Sequence, residues 1–242
     1  MYNLVISLAA GLAVGLAVAL TTQLGAVAAI IPGLVVAVAA YLVLVRRSWK
    51  QLEAIFDGVQ KELQAQRVDK ALQLLQSGFR LAPWQFLVAS QLHSNIGILH
   101  FVKGNDEAAL PHLEKSFTRN WIARAMLGVA KYRARDLAGM TRVLDEAVKV
   151  NKKEGLLWQV YAWILEKEGR HADAVSLLGR AVDANPADEK LKTSLQALQN
   201  DKKLKLGKLY AEQWFQFRLE AVPQNLMMPG YRPGRRAIFR PR

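Results

Sequence analysis

The chain of 242 residues contains no cysteine, so disulfide bridges, thiolate nucleophiles and cysteine-ligated metal sites are excluded. It also lacks a P-loop, a dinucleotide-binding glycine loop and the Gly-x-Ser-x-Gly sequence of serine hydrolases. No zinc-binding His-Glu-x-x-His pattern accompanies the four histidines, which are His93, His100, His112 and His171. We therefore expect no cofactor, no metal site and no enzymatic activity.

Charge is missing from the first part of the chain, where the first charged side chain is that of Arg46. Residues 2–20 and 26–45 each provide about 20 apolar positions, enough at ~1.5 Å per residue to cross a hydrocarbon core of about 30 Å. The short polar segment between them ends in Gly25, which favours a tight reversal. Residues 1–45 are therefore predicted to form a transmembrane helical hairpin. A cleaved signal peptide is disfavoured because no basic residue precedes the first apolar run.

Basic residues after the second apolar run predict how the hairpin is oriented. Arg46, Arg47 and Lys50 are expected on the cytoplasmic side, with Trp49 as an anchor at the headgroup level. This predicts an integral membrane protein with two spans and both termini in the cytoplasm, as in a bacterial inner-membrane protein. Neither run contains an ionisable side chain other than that of Tyr2 or Tyr41, so we interpret the hairpin as an anchor and not as an ion path.

Small residues in the apolar runs predict close helix packing. Gly11 and Gly15 form a Gly-x-x-x-Gly spacing, which lets two helix backbones approach each other. Two partners are compatible with this spacing. One is the second helix of the same hairpin, and the other is a further membrane subunit or a second copy of the chain.

Helix-pair units recur along the chain after residue 46. The clearest unit, residues 155–188, has a pattern that consists of Trp158, Tyr161, Ala162, Leu165, Gly169, Ala174, Leu178, Ala181 and Pro186. Residues 121–154 repeat this pattern with Leu127, Gly128, Leu144 and Ala147. Residues 90–120 and 52–85 follow it less completely. Apolar residues every three or four positions indicate amphipathic helices, and the small residues permit close helix crossing.

These units resemble the tetratricopeptide repeat, a helix pair of about 34 residues with the pattern Trp-x-x-Leu-Gly-x-x-Tyr, then Ala-x-x-x-Phe, then Pro. In this chain Tyr161 and Ala162 stand for Leu-Gly, and Leu178 stands for Phe. The predicted fold class is therefore all-α. The transmembrane hairpin is followed by a tetratricopeptide-type α-solenoid of about four helix pairs over residues 46–188, then by a C-terminal helix and tail.

The resemblance implies a concave surface, formed by the first helix of each pair, that binds protein partners. Helical steps of about 100° place a mixed aromatic and polar set of side chains on this predicted partner groove. The set is Asn95, Ile98, Phe101, Tyr132, Arg133, Gln159, Trp163 and Lys167. Family members that hold a terminal carboxylate use a lysine and asparagine set that this chain lacks. The alternative is that the aromatic residues pack against neighbouring repeats or against the C-terminal helix.

Residues 189–222 combine lysines with a cluster of aromatic side chains that consists of Tyr210, Trp214, Phe215 and Phe217. One interpretation is a helix that caps the solenoid. The alternative is a helix that lies on an anionic bilayer surface.

The tail, residues 223–242, contains no acidic residue and is rich in proline, so we expect it to be disordered alone. Its arginines are predicted to contact anionic lipid or an acidic protein partner, and they are Arg232, Arg235, Arg236, Arg240 and Arg242. Nucleic acid is disfavoured as a partner because no known binding motif accompanies the charge.

Three functions are compatible with these features. The first is a membrane-anchored scaffold or adaptor that binds protein partners at the cytoplasmic face of a membrane. The second is a structural accessory subunit of a larger membrane complex, docked through the hairpin and the arginine-rich tail. The third, an enzyme whose site the sequence disguises, is the weakest because no catalytic pattern supports it.

Overall fold

The computed structural model describes residues 1–21 and 25–223, and over these residues the chain is all-helical, without strands. The α-helices are α1 Tyr2–Thr21, α2 Gly25–Gln64, α3 Val68–Ser77, α4 Val88–Val102, α5 Asp106–Glu114, α6 Trp121–Arg133, α7 Leu137–Val150, α8 Gly155–Lys167, α9 His171–Ala184, α10 Glu189–Gln199, α11 Leu206–Tyr210 and α12 Glu212–Phe215. A 3-10 helix, Gly78–Leu81, follows α3. The chain divides into two compact units, Met1–Leu92 and His93–Arg242.

The first unit contains two helices that are long and apolar enough to cross a membrane, α1 and α2. In each, only 11% of the most apolar stretch is buried. A core helix of a soluble protein would have most of that surface covered by other parts of the chain. Helix α2 is 40 residues long and includes Pro32. It continues past Arg46 without a break, so the second apolar run and the charged residues that follow it form one helix.

Glycines bring α1 and α2 into backbone contact. A Cβ atom added to Gly11 would lie 2.5 Å from the Gly33 carbonyl oxygen and 2.6 Å from the Ala37 Cβ atom. One added to Gly15 would lie 3.3 Å from the Ala29 carbonyl oxygen. The predicted packing glycines therefore serve the contact between the two helices of the hairpin, which is the first of the two alternatives. Of the predicted reversal, residues 22–24 lie outside the described residues.

The second unit is built from helices that pack on their neighbours in sequence. Helix α6 packs on α5 and α7, α8 on α7 and α9, and α9 on α10. Contacts also join α6 to α8 and α8 to α10. Small residues let the two helices of a pair approach: a Cβ atom on Gly97 would lie 2.8 Å from Leu113, and one on Gly128 would lie 2.5 Å from Leu144. Leu113 and Leu144 are fully buried.

A residue with positive φ lies in the turn between the two helices of each of four pairs. These residues are Gln66 at 58°, Gly104 at 90°, Arg135 at 62° and Gly169 at 75°. Glycine takes this conformation at no steric cost, and the sequence analysis relied on glycine for its turns. Gln66 and Arg135 adopt the same positive φ, so this backbone conformation recurs even in the turns that have no glycine at this position. Side-chain caps then start two of the second helices, where Asn105 accepts from the Ala108 N–H and Asp136 from the Gly139 N–H.

The close approach of α6 and α7 predicts how a methyl group at Gly128 affects stability. Because the Cβ atom of Gly128→Ala would overlap the buried Leu144 side chain, we expect a loss of about 1–3 kcal/mol in the free energy of unfolding. Thermal or denaturant unfolding of the full-length protein in detergent, followed by circular dichroism, measures this loss.

The matched control is Gly179→Ala in α9, where an added Cβ atom meets no atom within 4 Å. Alanine is the better helix former, so this variant should be unchanged or more stable by about 0.5–1 kcal/mol. Equal stability changes in the two variants would contradict the close α6–α7 contact.

Candidate functional site

The C-terminal segment, residues 204–220, lies against the first helices of three pairs in the second unit. It contains the short helices α11 and α12, which are separated by Ala211 at a φ of 46°. Leu206, Trp214 and Phe217 are fully buried in it. The predicted helix over residues 189–222 is therefore three short helices, α10 to α12. Trp214 and Phe217 belong to the core of this unit and Tyr210 and Phe215 are half-buried, which favours the capping interpretation over a helix on a bilayer surface.

The predicted partner groove is covered in this structure. Phe101 and Gln159 are 0% exposed, Tyr132 is 3% exposed and Trp163 is 8% exposed. Ile98 packs on the core. The remaining members of the set are more accessible, Asn95 and Arg133 being half-buried and Lys167 exposed. The aromatic residues therefore do not form an open groove, and their burial fits the alternative that they pack against neighbouring helices or the C-terminal segment. The helical spacing placed these residues on one face, but it could not show what covers that face.

Arg133, at the end of α6, holds the main chain of the C-terminal segment. Its guanidinium donates to the carbonyl oxygens of Phe217 at 2.9 Å and Arg218 at 2.7 Å. It also donates to an Asp106 carboxylate oxygen at 2.9 Å. Burial lowers the pKa of Arg133, and the Asp106 carboxylate opposes this change. The guanidinium stays charged, because arginine is protonated at any physiological pH. These contacts bind a backbone segment without reading its side chains.

Arg218 of the segment binds the same carboxylate. Its guanidinium donates to Asp106 at 2.9 Å and to the Phe101 carbonyl oxygen at 2.7 Å. The central guanidinium carbons of Arg133 and Arg218 lie 5.0 Å and 5.5 Å from the centre of the Phe101 ring, within the range of a cation–π interaction. One carboxylate therefore compensates two half-buried cations, which also donate to carbonyl oxygens and lie over a ring face.

Glu220 connects the segment to α8 through two indole groups. It accepts hydrogen bonds from Trp163 Nε1 at 3.2 Å and from Trp214 Nε1 at 2.8 Å. The two tryptophan rings are 5.8 Å apart at an angle of 64°, an edge-to-face contact. Lys167 Nζ lies 5.0 Å from the centre of the Trp163 ring. The carboxylate thus satisfies both buried indole donors.

Gln159, another member of the predicted set, contributes to an internal contact. Its side-chain amide donates to the Lys190 carbonyl oxygen at 3.2 Å and so joins α8 to the start of α10. Tyr132 is buried, and this burial, together with the Glu168 carboxylate, raises the pKa of its hydroxyl. Neither side chain is presented to a partner.

The arrangement is chemically suited to binding a peptide segment. Arg133 binds main-chain carbonyl groups, Asp106 forms an ion pair with an arginine, and Trp163 donates to a carboxylate. Asp106 on α5 and Arg218 and Glu220 in the segment complete this contact, and none of them was predicted from the sequence. The charged and aromatic composition near the end of the chain was the only signal for Arg218 and Glu220, and it fits a cap equally well; Asp106 had none.

Three histidines form a cluster between α4 and α5. His93 Nδ1 lies 3.0 Å from His112 Nδ1, and the His100 and His112 rings are 6.1 Å apart. Burial, followed by the charge of Lys115, lowers the pKa of His93. Burial, followed by the other two histidines and Lys115, lowers the pKa of His112. No group of three or more residues suited to hold a metal ion is present in the part of the chain that the structure describes.

The other predicted contact residues lie in two regions. The interface anchors Arg46, Arg47, Trp49 and Lys50 are exposed on α2 of the first unit. The predicted tail contacts at Arg232, Arg235, Arg236, Arg240 and Arg242 lie outside the described residues.

Comparison with known proteins leaves the chain without an assigned family. No model of a known protein family matches it, and a search of the curated proteins finds no similar sequence. The function is therefore inferred from its residues and their geometry.

The burial of Trp214 predicts a large effect of its removal. Trp214→Ala should lower the free energy of unfolding by about 3–5 kcal/mol, because it leaves a cavity beside Trp163 and removes a donor from Glu220. Denaturant unfolding of the full-length protein in detergent measures the loss. Limited trypsin digestion should show faster cleavage in residues 202–208.

Gln213→Ala is the matched control, since Gln213 is the exposed neighbour in the same short helix. It should change stability by no more than about 0.5 kcal/mol. A Trp214→Ala variant as stable and as protease-resistant as this control would contradict the docked position of the segment.

The histidine cluster predicts a loss of stability in acid. Because the pKa values of His93 and His112 lie below the ordinary 6.5 in the folded protein, the unfolded chain takes up protons first as the pH falls. The stability that depends on the neutral histidine cluster is therefore present above about pH 6.5 and is lost as the pH falls below it. We expect the melting temperature to fall more steeply below about pH 6.5 in the wild type than in His112→Gln. His171→Gln, which leaves the cluster intact, should retain the steep wild-type fall; identical profiles for wild type and His112→Gln would contradict the assignment.

Proposed function

We propose that the protein is a membrane-anchored scaffold of the tetratricopeptide type, which binds a segment of a partner protein at the cytoplasmic face of a membrane. The observation that carries this proposal is the docked C-terminal segment. It supports the view that the face formed by α4, α6 and α8 recognises peptide chains.

The anchoring part of the proposal is supported by α1 and α2. Both helices are long and apolar enough for a bilayer, and their surfaces are left uncovered within the described residues. The two helices also contact each other through glycine backbones, as helices in lipid do where small residues replace hydrophobic attraction. Arg46, Arg47 and Lys50 favour a cytoplasmic location for the chain that follows.

The repeat part is supported by the packing in the second unit. Helices contact their sequence neighbours, and α6, α8 and α10 form a further contact series. This nearest-neighbour pattern is the one by which solenoid repeats bury their apolar faces. The recurring positive-φ turn and the glycine–leucine contacts of two successive pairs add to this support.

The binding part follows from how the C-terminal segment is held. Arg133 captures main-chain carbonyl groups, and Asp106 accepts from an arginine of the segment. Trp163 contributes an aromatic surface and an indole donor for an acidic side chain. A partner segment with aromatic residues followed by an arginine and an acidic residue would satisfy the same groups. Such a partner would compete with the chain's own segment, so binding requires the segment to be displaced.

Site-specific photo-cross-linking in native membranes tests the scaffold function. A photoreactive residue in place of Lys167, at the accessible edge of this face, should yield a defined cross-linked protein. The same residue in place of Lys149, on the exposed side of α7, should not. Excess peptide with the sequence of residues 204–220 should abolish the Lys167 product, because peptide and partner need the same groups.

The control peptide carries Trp214→Ala and Phe217→Ala and should leave the cross-link unchanged. Equal inhibition by both peptides, or equal products from both positions, would contradict a specific binding face. Alkaline carbonate extraction of the same membranes tests the anchor separately, and release of the wild-type protein would contradict it.

A second candidate is a structural subunit of a larger membrane complex, docked through the hairpin. An open apolar cleft of about 400 Å³ between α1 and α2 favours it, since it is lined by Gly11, Gly15 and Gly33. Small residues there leave room for the side chains of another helix. A stable, stoichiometric assembly in detergent that is lost on Leu12→Ala, at an exposed residue lining the same cleft, would favour this candidate over the scaffold.

A further inference from the structure

We propose that the first unit binds the headgroup of an anionic phospholipid of the phosphatidylglycerol type. The site is a cleft between the start of α1, the middle of α2 and the loop after the 3-10 helix. This inference goes beyond partner binding and rests only on the anchoring part of the proposed function.

The cleft has a volume of about 750 Å³. Its polar lining comes from the start of α1, the middle of α2 and the segment after α3, and consists of Asn3, Arg47, Ser48, Gln51, Arg80 and Trp84. No acidic residue lines it. Two arginines and three neutral polar side chains therefore surround a space large enough for a small polar headgroup.

The loop at residues 82–87 is held against the start of α1. The N–H groups of Tyr2 and Asn3 donate to the carbonyl oxygens of Pro83 at 2.9 Å and Trp84 at 3.3 Å. The Tyr2 and Trp84 rings are 5.4 Å apart in an edge-to-face contact. The apolar run of α1 begins here, and that of α2 ends at Arg46. The cleft is therefore at the level where lipid headgroups meet the hydrocarbon core.

Exposed aromatic side chains surround the same level. Trp49, Trp84 and Phe86 are 48%, 39% and 64% exposed. Tryptophan is enriched where a membrane protein meets the headgroup region, because one part of its ring system is apolar and another donates a hydrogen bond. These residues suit contact with lipid at the mouth of the cleft.

The charge of the cleft favours an anion. Arg47 and Arg80 are exposed and form no ion pair with another described residue. A guanidinium group presents several N–H donors in a planar arrangement that matches phosphate oxygens. Two of them around one cleft, without an acid to compensate them, suit a lipid phosphate with net negative charge.

Asn3 supplies a second, independent observation. It is 2% exposed, and its side-chain amide donates to Ser48 Oγ at 3.0 Å. Ser48 Oγ in turn donates to the Leu44 carbonyl oxygen at 3.0 Å, so its proton is not available to Asn3. Asn3 Oδ1 is thus a buried acceptor without a partner. Such an acceptor is unfavourable until a donor reaches it, and a headgroup hydroxyl is one.

These requirements select among lipid headgroups. Phosphatidylglycerol carries one negative phosphate for the two arginines and glycerol hydroxyls for Asn3. Phosphatidylcholine has the phosphate but is neutral overall and carries no hydrogen-bond donor. The chemistry of the cleft therefore favours phosphatidylglycerol over phosphatidylcholine.

Native mass spectrometry of the full-length protein tests the site. The protein is reconstituted into nanodiscs that contain equal parts of phosphatidylcholine and phosphatidylglycerol, and then released into detergent. We expect one phosphatidylglycerol to remain bound to the wild type. Arg47→Gln/Arg80→Gln should weaken this retention by about tenfold or more, since each basic residue near an anionic headgroup contributes to attraction.

The matched control is Arg46→Gln/Lys50→Gln, which removes the same charge from nearby exposed positions outside the cleft. It should retain the lipid as the wild type does. Equal loss in both double variants, or equal retention of phosphatidylcholine by the wild type, would overturn the proposal. So would inorganic phosphate that binds the lipid-free protein in detergent and displaces phosphatidylglycerol at equal concentration, because the site would then take a free anion.

Carbonate extraction separates this proposal from the anchor. If the wild type is released from membranes, the two-span anchor is wrong. If all variants remain in the membrane but the cleft variant keeps its phosphatidylglycerol, only the headgroup site is wrong.

Discussion

The second unit depends on how the apolar face of its first helices is covered. In an array of helix pairs, each pair buries one side against its neighbours and leaves the side chains of the other face without a partner. Here that face carries Phe101, Tyr132 and Trp163, and exposing their large apolar surfaces to water would be unfavourable. The C-terminal segment contacts Trp163 through Trp214 and Phe101 through Arg218, and the same contact brings Arg133, Arg218 and Asp106 together. Burial of aromatic surface thus creates the setting in which the ion pairs form.

That contact has two consequences, one for the stability of the unit and one for the accessibility of the face. The aromatic burial stabilises the unit, because large ring surfaces leave water. It also closes the face that the repeat pattern assigns to partners. The polar contacts make the closure selective, since Arg133 binds carbonyl groups and Trp163 and Trp214 share one carboxylate. A similar segment from another protein is the partner that we propose for this face.

The first unit depends on a different contact, the close approach of the α1 and α2 backbones. Gly11, Gly15 and Gly33 allow this approach because they carry no side chain. The polar groups collect at one end, where Asn3 and Ser48 bond to each other and Arg47 and Arg80 line a cleft. Helix α2 continues from this end, so the second apolar run and the charged residues from Arg46 onward share one helix.

Periodicity in the sequence was sufficient to predict an all-helical chain and the two long apolar helices. Such features depend on local spacing: Gly128 and Leu144 lie where the repeat pattern puts them, and residues 2–20 and 26–45 are uncharged whatever else the chain does. The accessibility of Trp163, the pairing of Arg133 with Asp106, and the unpaired oxygen of Asn3 could not be predicted in this way. Each arises between residues far apart in sequence, whose meeting depends on the path of the whole chain. The sequence by itself determined which faces are apolar, aromatic or charged, because side-chain order along a helix is set by its 3.6-residue turn. Only the tertiary structure decided which of those faces is covered, because burial is a property of the neighbours that folding brings into contact.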